Sequence, residues 1–350
     1  MAKYHLTTIP LSYIHIGNGE ELDPTEYIVK NGKVYYLNQA QMIAHLMKTN
    51  ETEFQKVLNT SDMIRITDFF IDHFDEKNES LWTASYEVDH EFETYYREKL
   101  HKLESQNLLY QFIRNKWQSV PYIPGSSIKG SIRTAFLSYL LDRYLKNGGD
   151  KDRILQNRNI EMELLNAKNR DGRYDMKEDP FKYLKVPDIS FSNEYLNVKK
   201  VLSTALPDDR GTRRPASQIP AYHEVLDYFR AHSLQADMSI DERFWKRTNT
   251  DFETFKKSIN GFYLDAFEKD KSYYERMNFQ KEYQAIKEAI EERDEDSIVL
   301  KVGKGSGKNY MTFQQLHFSP KSRNLIDHEP MGWLMIQLKI QNYICSFKGT

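Results

Sequence analysis

The sequence predicts an α+β protein, and three observations carry that reading. Segments rich in β-branched residues stand near both ends and in the middle of the chain, at 4–16, 198–206 and 297–302. A helix-period apolar stripe formed by Ile128, Ile132, Ala135, Phe136, Tyr139 and Leu140 lies between them. The order along the chain is strand, long helix, strand pair, then strand pair, helices and strand. This describes two βαββαβ-like halves rather than a parallel βαβ series. At 350 residues the chain is long for one domain, and two are expected. We place them at 1–218 and 219–350, with a helical insertion at about 39–117 in the first.

Each element has a local reason. Residues 4–16 read as strand, and Gly17 with Gly19 is expected to break it into a turn. Residues 26–29 and 34–37 form the arms of a hairpin around Asn31-Gly32, a pair favoured where both turn residues need positive φ. From 37 to 116 apolar residues recur at helical spacing among many charges, which predicts a group of helices. Pro124 and Gly125 then stop the chain, Ser126 or Ser127 can cap a helix, and Asn147-Gly148-Gly149 ends it. A polar stretch to about Asp179 reads as mobile. Residues 185–191 and 198–206 read as paired strands, and 207–220 as a loop rich in Pro, Gly and Arg. Strand character returns over 222–240, helices follow over 241–292, and strands at 297–302 and 333–345 flank a glycine-rich loop.

Composition bounds the function. Hydrophobic residues make up 39% and charged residues 29%, with 23 Tyr and 19 Phe, which suits a folded protein with a broad polar surface. A net charge of -2 from 49 basic and 51 acidic residues gives no global basic field, so any nucleic-acid affinity must be local. The acid-rich run at 291–296 makes the charge uneven and suits protein contacts on another face. Cys345 stands alone, so neither an intrachain disulfide nor a cysteine zinc site can form, in keeping with a reducing cytoplasm. Signal-peptide and membrane-spanning patterns are absent, so a cytoplasmic protein without a membrane partner is expected. No metal-ligand spacing and no cofactor motif stands in the chain.

Residues 122–133, YIPGSSIKGSIR, carry the most specific chemistry. Ser126, Lys129, Gly130 and Arg133 stand at i, i+3, i+4 and i+7, which groups hydroxyl, ammonium, bare backbone and guanidinium on a side the core does not claim. Exposed amides and the positive end of a helix dipole attract phosphate, and Gly130 leaves room for a sugar-phosphate backbone. An ordinary amphipathic helix with a solvated lysine and arginine gives the same spacing.

The stretch PYIPGSSIKGSIRTAFL (121–137) closely resembles the signature of RAMP proteins, the RNA-binding subunits of CRISPR effector complexes. IHIGNGEELDPTEYIV (14–29) resembles their first strand and glycine turn, and KVGKGSGKN (301–309) is similar to their C-terminal glycine-rich loop. With DPFKYLKVPDIS (179–190), the resemblance is nearest to the fifth, terminal subunit of type III-A Csm complexes. It implies tandem ferredoxin-like (RRM-like) domains and a noncatalytic subunit that caps the backbone filament. Such a subunit binds the 3′ region of the crRNA and supports crRNA maturation and antiviral defence. The implied partners are crRNA, target RNA, the adjacent backbone RAMP subunit, the small helical subunit and host nucleases. The implied RNA contacts are Gly125, Ser126, Ser127, Lys129, Gly130, Arg133, Gly303, Lys304, Gly305, Ser306, Gly307 and Lys308.

Glycines 303, 305 and 307 alternate with Lys304, Ser306 and Lys308, so the loop amides can form an anion nest. It is no P-loop: Val302 stands where the first glycine belongs and Asn309 where the hydroxyl belongs. A flexible hairpin tip is the other reading. Arg210, Arg213 and Arg214 suit phosphates, a neighbouring subunit or plain solvent. His15 and Gly17 are candidate RNA or subunit contacts, and His15 a general acid or base if the chain is instead a metal-independent RAMP endoribonuclease processing guide precursors. Asp23 occupies a place similar to the loop aspartate with which the backbone Csm subunit cuts target RNA, but GEELDPTEY departs from that pattern. We assign no catalytic residue.

Overall fold

Strand β1 (Ala2–Pro10) buries Tyr4, Leu6, Thr8 and Pro10 and leaves the residues between them half-exposed, the period-two pattern of a strand covered on one face. The computed structural model describes residues 2–23, 25–99, 109–115, 119–205, 221–305, 310, 313 and 322–340. Gly17 and Gly19 begin a strand, β2 (Gly17–Leu22), rather than the expected turn, and a register shift between Gly17 and Glu21 absorbs the irregularity. The predicted hairpin is present as β3 (Tyr27–Lys30) and β4 (Lys33–Leu37). Asn31 (φ 53°) and Gly32 (φ 71°) are both left-handed at its tip, as a two-residue turn between twisted strands requires.

Helices α1 (Gln39–Thr49), α2 (Glu51–Asn59) and α3 (Met63–His73) follow, closing over Met42, Leu46, Phe54 and Phe70. Asn38 and Asp62 cap α1 and α3 through their side-chain oxygens. The predicted insertion is not wholly helical. Strand β5 (Trp82–Glu87), which buries Ala84 and Tyr86 in alternation, pairs with β4; helix α4 (His90–Lys99) and strand β6 (Leu109–Phe112) come after it. Six residues of alternation are too few to stand out against a helical background.

Short strand β7 (Tyr122–Ile123) leads into the long helix α5 (Gly125–Lys146), which ends at Asn147 as predicted. The polar stretch beyond it is built rather than loose. It contains α6 (Lys151–Gln156), α7 (Ile160–Leu164) and a bridge between Lys168 and Tyr174. Strands β8 (Leu184–Lys185), β9 (Ile189–Ser190), β10 (Leu196–Ala205), β11 (Ala221–Leu226) and β12 (Leu234–Ile240) follow. The strands expected at 185–191 and 198–206 exist but do not pair with each other: β8 adds to β12, β9 to β7, and β10 to β11. Helices α8 (Glu242–Thr248), α9 (Phe252–Met277) and α10 (Gln280–Glu291) precede β13 (Ser297–Lys301), β14 (Ser322–Ile326), β15 (Glu329–Pro330) and β16 (Trp333–Ile340).

An antiparallel five-stranded sheet runs β13-β16-β1-β12-β8, and α5 and α9 pack on each other and against its β13 edge. Phe136, Phe244 and Phe255 pack together on this side, with ring centroids 5.7 to 5.8 Å apart. A six-stranded sheet runs β15-β14-β10-β11-β6-β2, in which only the β11–β6 pair is parallel among the described residues. Both large sheets draw strands from either side of residue 218. A third sheet, β3-β4-β5, is tied to the six-stranded one by buried Glu224, whose carboxylate accepts the hydroxyls of Tyr36 and Tyr86, the Phe112 amide (2.7 Å) and the Arg114 guanidinium (2.9 Å). No helix among the described residues is long and apolar enough to cross a membrane.

Candidate nucleic-acid interface

The motif helix starts two to three residues earlier than its serines suggest. Pro124 is its N-cap residue and makes no side-chain cap, so neither Ser126 nor Ser127 caps the helix as expected. The first amide is taken from elsewhere: Gly125 donates its N–H to the Asp188 carboxylate at 2.8 Å. Segment 186–188 lies so close that a Cβ on Gly125 would sit 2.2 Å from the Val186 carbonyl oxygen and 2.6 Å from that of Pro187. Gly125 is therefore a packing glycine, buried and facing protein.

The remaining motif residues face outward to different degrees. Ser126 and Gly130 are exposed, Ser127 and Lys129 are half-buried, and a Cβ on Gly130 would meet nothing within 4 Å. Burial, and then the nearby charge of Lys185, lower the pKa of Lys129. Two ammonium groups that repel one another beside an open helix face gain from an anion placed between them. The Arg133 charge also bears on Lys129, but its own group is engaged within the chain. Its guanidinium meets Asp179 at 2.7 Å and Glu161 at 3.0 Å and lies 5.0 Å from the Phe181 ring centroid, which pins the segment following α5 to the helix.

The C-terminal glycine loop and the segment just before β2 meet here. Lys304 donates its backbone N–H to the His15 carbonyl at 2.8 Å. Gly303, at φ 71°, sits where a Cβ would lie 2.2 Å from that same oxygen, so only glycine fits the approach. Ser131 of the motif helix donates its hydroxyl to the Lys301 carbonyl at 2.7 Å, just before the loop. Three motifs at 14–17, 122–133 and 301–305 are thus joined through hydrogen bonds. Gly17 is exposed beside them, and Gly305 is half-buried.

The Lys304 side chain bonds to the His223 ring and lies 4.9 Å from the Tyr110 ring centroid, while Tyr110 stacks on His223 at 4.4 Å. Burial drives the pKa of His223 down to about 2, and His15 and Lys304 add to the effect, so the ring is neutral where the protein works. His15 is 5% exposed and pairs its Nδ1 with the Glu224 carbonyl oxygen at 2.7 Å; burial lowers its pKa too. In this setting His15 joins two segments of the chain through Nδ1 and is almost wholly enclosed. Asp23 caps its own turn by accepting the Thr25 N–H at 3.0 Å.

Ser306, Gly307, Lys308, Arg210, Arg213 and Arg214 lie outside the described residues. Lys185, Asp188, Tyr110 and His223 escaped the sequence reading. The first two stand within 179–190, a segment already singled out; nothing in the sequence marked Tyr110 or His223. Among the described residues no group of three or more His, Cys, Asp or Glu is placed to hold a metal ion. The arrangement can attract a polyanion along α5 and at Lys304.

Comparison with known proteins agrees in scale with this architecture. The RAMP superfamily profile matches residues 9–309. A CRISPR system protein, Csm5, of Methanocaldococcus jannaschii is 24% identical over 314 residues, covering 84% of this chain and 69% of its own length. Csm5 of Streptococcus thermophilus is 25% identical over 278 residues, covering 77% and 73%. Among solved structures, a chain of a Csm-crRNA-target RNA ternary complex from a type III-A CRISPR-Cas system superposes with a TM-score of 0.65 at 21% identity, over 96% of this chain and 100% of that one. The crystal structure of T. onnurineus Csm5 gives 0.64 at 22%, over 94% and 99%. At these identities the structural likeness shows a shared mixed α+β fold.

Proposed function

The chain belongs to the RAMP superfamily, and from that premise we propose that it is the noncatalytic RNA-binding subunit that caps the backbone of a type III-A Csm effector complex. It holds the 3′ region of the crRNA, supports guide maturation and antiviral defence in the cytoplasm, and docks on the adjacent backbone subunit and the small helical subunit, with target RNA and host nucleases as further partners. One observation carries the reading: segments from the start, middle and end of the chain converge, with Lys304 bonded to His15 and Ser131 to Lys301. They place Ser126, Lys129, Gly130 and Lys304 on connected elements. Phosphate contacts from such a set favour RNA without reading its bases.

The tandem ferredoxin-like organisation belongs to the same proposal. Strands β1, β8, β12 and β16 with helices α5 and α9 supply one strand-helix-strand-strand-helix-strand unit in sheet order β16-β1-β12-β8. The six-stranded sheet supplies the core of the other. Because each sheet takes strands from both sides of residue 218, the units interleave along the chain. The noncatalytic role is supported by the enclosure of His15.

The test is binding of labelled crRNA 3′ fragments to the purified chain across a salt series. Affinity falls steeply with salt, and Lys129→Ala with Lys304→Ala reduces both affinity and the salt slope. Unchanged binding and crosslinking in that double variant removes the site. Specific cleavage of repeat RNA, abolished by His15→Ala, would instead make the chain an endoribonuclease.

A further inference from the structure

The turn between β11 and β12 carries Phe229, which is 64% exposed, and the turn under it is stiff. Asp227 accepts the N–H of Phe229 (2.9 Å) and the side-chain amide of Asn197 (3.0 Å) through its carboxylate, and the amides of Arg230 (3.1 Å) and Ala231 (2.9 Å) through its carbonyl. Arg230 reaches the carbonyl oxygens of Leu196 and Glu87 at 2.8 and 3.0 Å. A ring held out on such a base loses little freedom when something covers it. The Phe229 ring centroid lies 4.1 Å from that of Tyr228 and 6.4 Å from that of Tyr13, so the three rings form one platform, whose two tyrosines pack with Val201, Val225, Ile326 and Met331.

Carboxylates surround that platform. Asp327 is 60% exposed and Asp89 38%, and Glu329 accepts the Tyr228 hydroxyl at 3.0 Å. The nearby cations are spent within the chain: Lys199 is shared by Asp89 and Asp327, and Arg230 by Asp227 and the two carbonyls. The outward field is negative, the wrong sign for RNA phosphates. It is the right sign for a cation that can lie flat on a ring and bond a carboxylate, which an arginine does in a single step.

We infer that the Phe229 platform and the Asp327 carboxylate form a docking surface for a neighbouring protein subunit that presents an arginine or lysine next to an apolar side chain. The inference rests on the assembly reading above for the identity of that neighbour. It assigns the protein-facing side of the chain to a region chemically opposite to the motif helix. The ring supplies an anchor that the partner covers, the carboxylate supplies direction, and the stiff turn supplies preorganisation.

Reconstitution of the Csm assembly from its other subunits and guide RNA, read by size exclusion and native mass spectrometry, tests it. Phe229→Asp and Asp327→Asn are each expected to lower incorporation of the chain at least about ten-fold, with RNA affinity of the free chain unchanged. Incorporation of both variants at the wild-type level overturns the inference and leaves the assembly reading intact. Variants that assemble but lose RNA affinity overturn it in favour of base stacking on Phe229. A wild-type chain that stays out of the assembly overturns the assembly reading and this inference with it.

Discussion

The Asp188 carboxylate accepts the Gly125 N–H at 2.8 Å, so the chain's own anion occupies the first amide of the motif helix. A phosphate is not needed there, and the RNA contact proposed above falls further along α5, at Ser126, Lys129 and Gly130. The same contact explains why a proline and a glycine open the helix. Proline fixes the entry, and glycine lets segment 186–188 reach it.

The two motif glycines must then respond oppositely to alanine. At Gly125 a Cβ would sit 2.2 Å from a backbone oxygen, and Gly125→Ala should cost about 3 kcal/mol or more of stability. At Gly130 the added methyl meets nothing, so Gly130→Ala should gain about 0.5–1 kcal/mol from helix propensity. It should also weaken RNA binding where a sugar-phosphate backbone approaches. Urea denaturation of both variants separates the two roles, and equal effects would refute them.

Lys185 should take the part at the RNA that sequence spacing gave to Arg133. Arg133, paired with Asp179 and Glu161, is structural: Arg133→Ala should lose about 1–3 kcal/mol of stability. Lys185 is exposed, and Lys185→Ala should stay within about 0.5 kcal/mol of wild type. It should lower the salt slope of single-stranded RNA binding by about 0.7. An Arg133→Ala protein of unchanged stability but reduced salt slope would return the arginine to the RNA.

Local signals in the sequence located local structure. Asn31-Gly32 gave its turn, Asn147-Gly148 its helix end and the stripe from Ile128 to Leu140 its buried face, because each depends on residues within a few positions. What depended on partners far along the chain was not legible. Nothing within 122–133 says that Asp188 reaches Gly125, or that Arg133 finds Asp179. The strands at 184–185 and 189–190 could be seen but not their partners, since a two-residue strand carries no register signal. Gly17 and Gly19 read as a turn because glycine weakens strands, yet pairing with β6 overrides that preference.

Glu224 joins two sheets through one buried carboxylate, and its loss should be felt well beyond its size. Arg114 would be left with a buried charge and without its carboxylate partner, and three other donors would lose their acceptor. Glu224→Ala should cost about 3–5 kcal/mol. Adding Arg114→Met should recover part of that, because the stranded charge goes too. A double-mutant cycle by chemical denaturation reads the coupling, and strictly additive losses would show that the pair does not act as a unit.

Lys301 is fully enclosed beneath the Tyr310 and Trp333 rings, 4.3 and 5.1 Å from their centroids, and the Asp270 carboxylate near it is bonded to Arg323 and to the Tyr310 hydroxyl. Burial lowers its pKa to about 7; Asp270 opposes the shift, and Arg323 adds to it. Between that value and the ordinary lysine value the unfolded chain keeps a proton that the folded chain has released. Stability from this group therefore rises with pH through the window, by at most about 1.4 kcal/mol per pH unit. Lys301→Met has no such proton, so its stability relative to wild type should be greatest near pH 7 and shrink steadily toward pH 9. Taking the difference between the two proteins cancels the contribution of the neighbouring buried tyrosines. A difference that stays flat across this range would mean that Lys301 keeps its charge inside the fold.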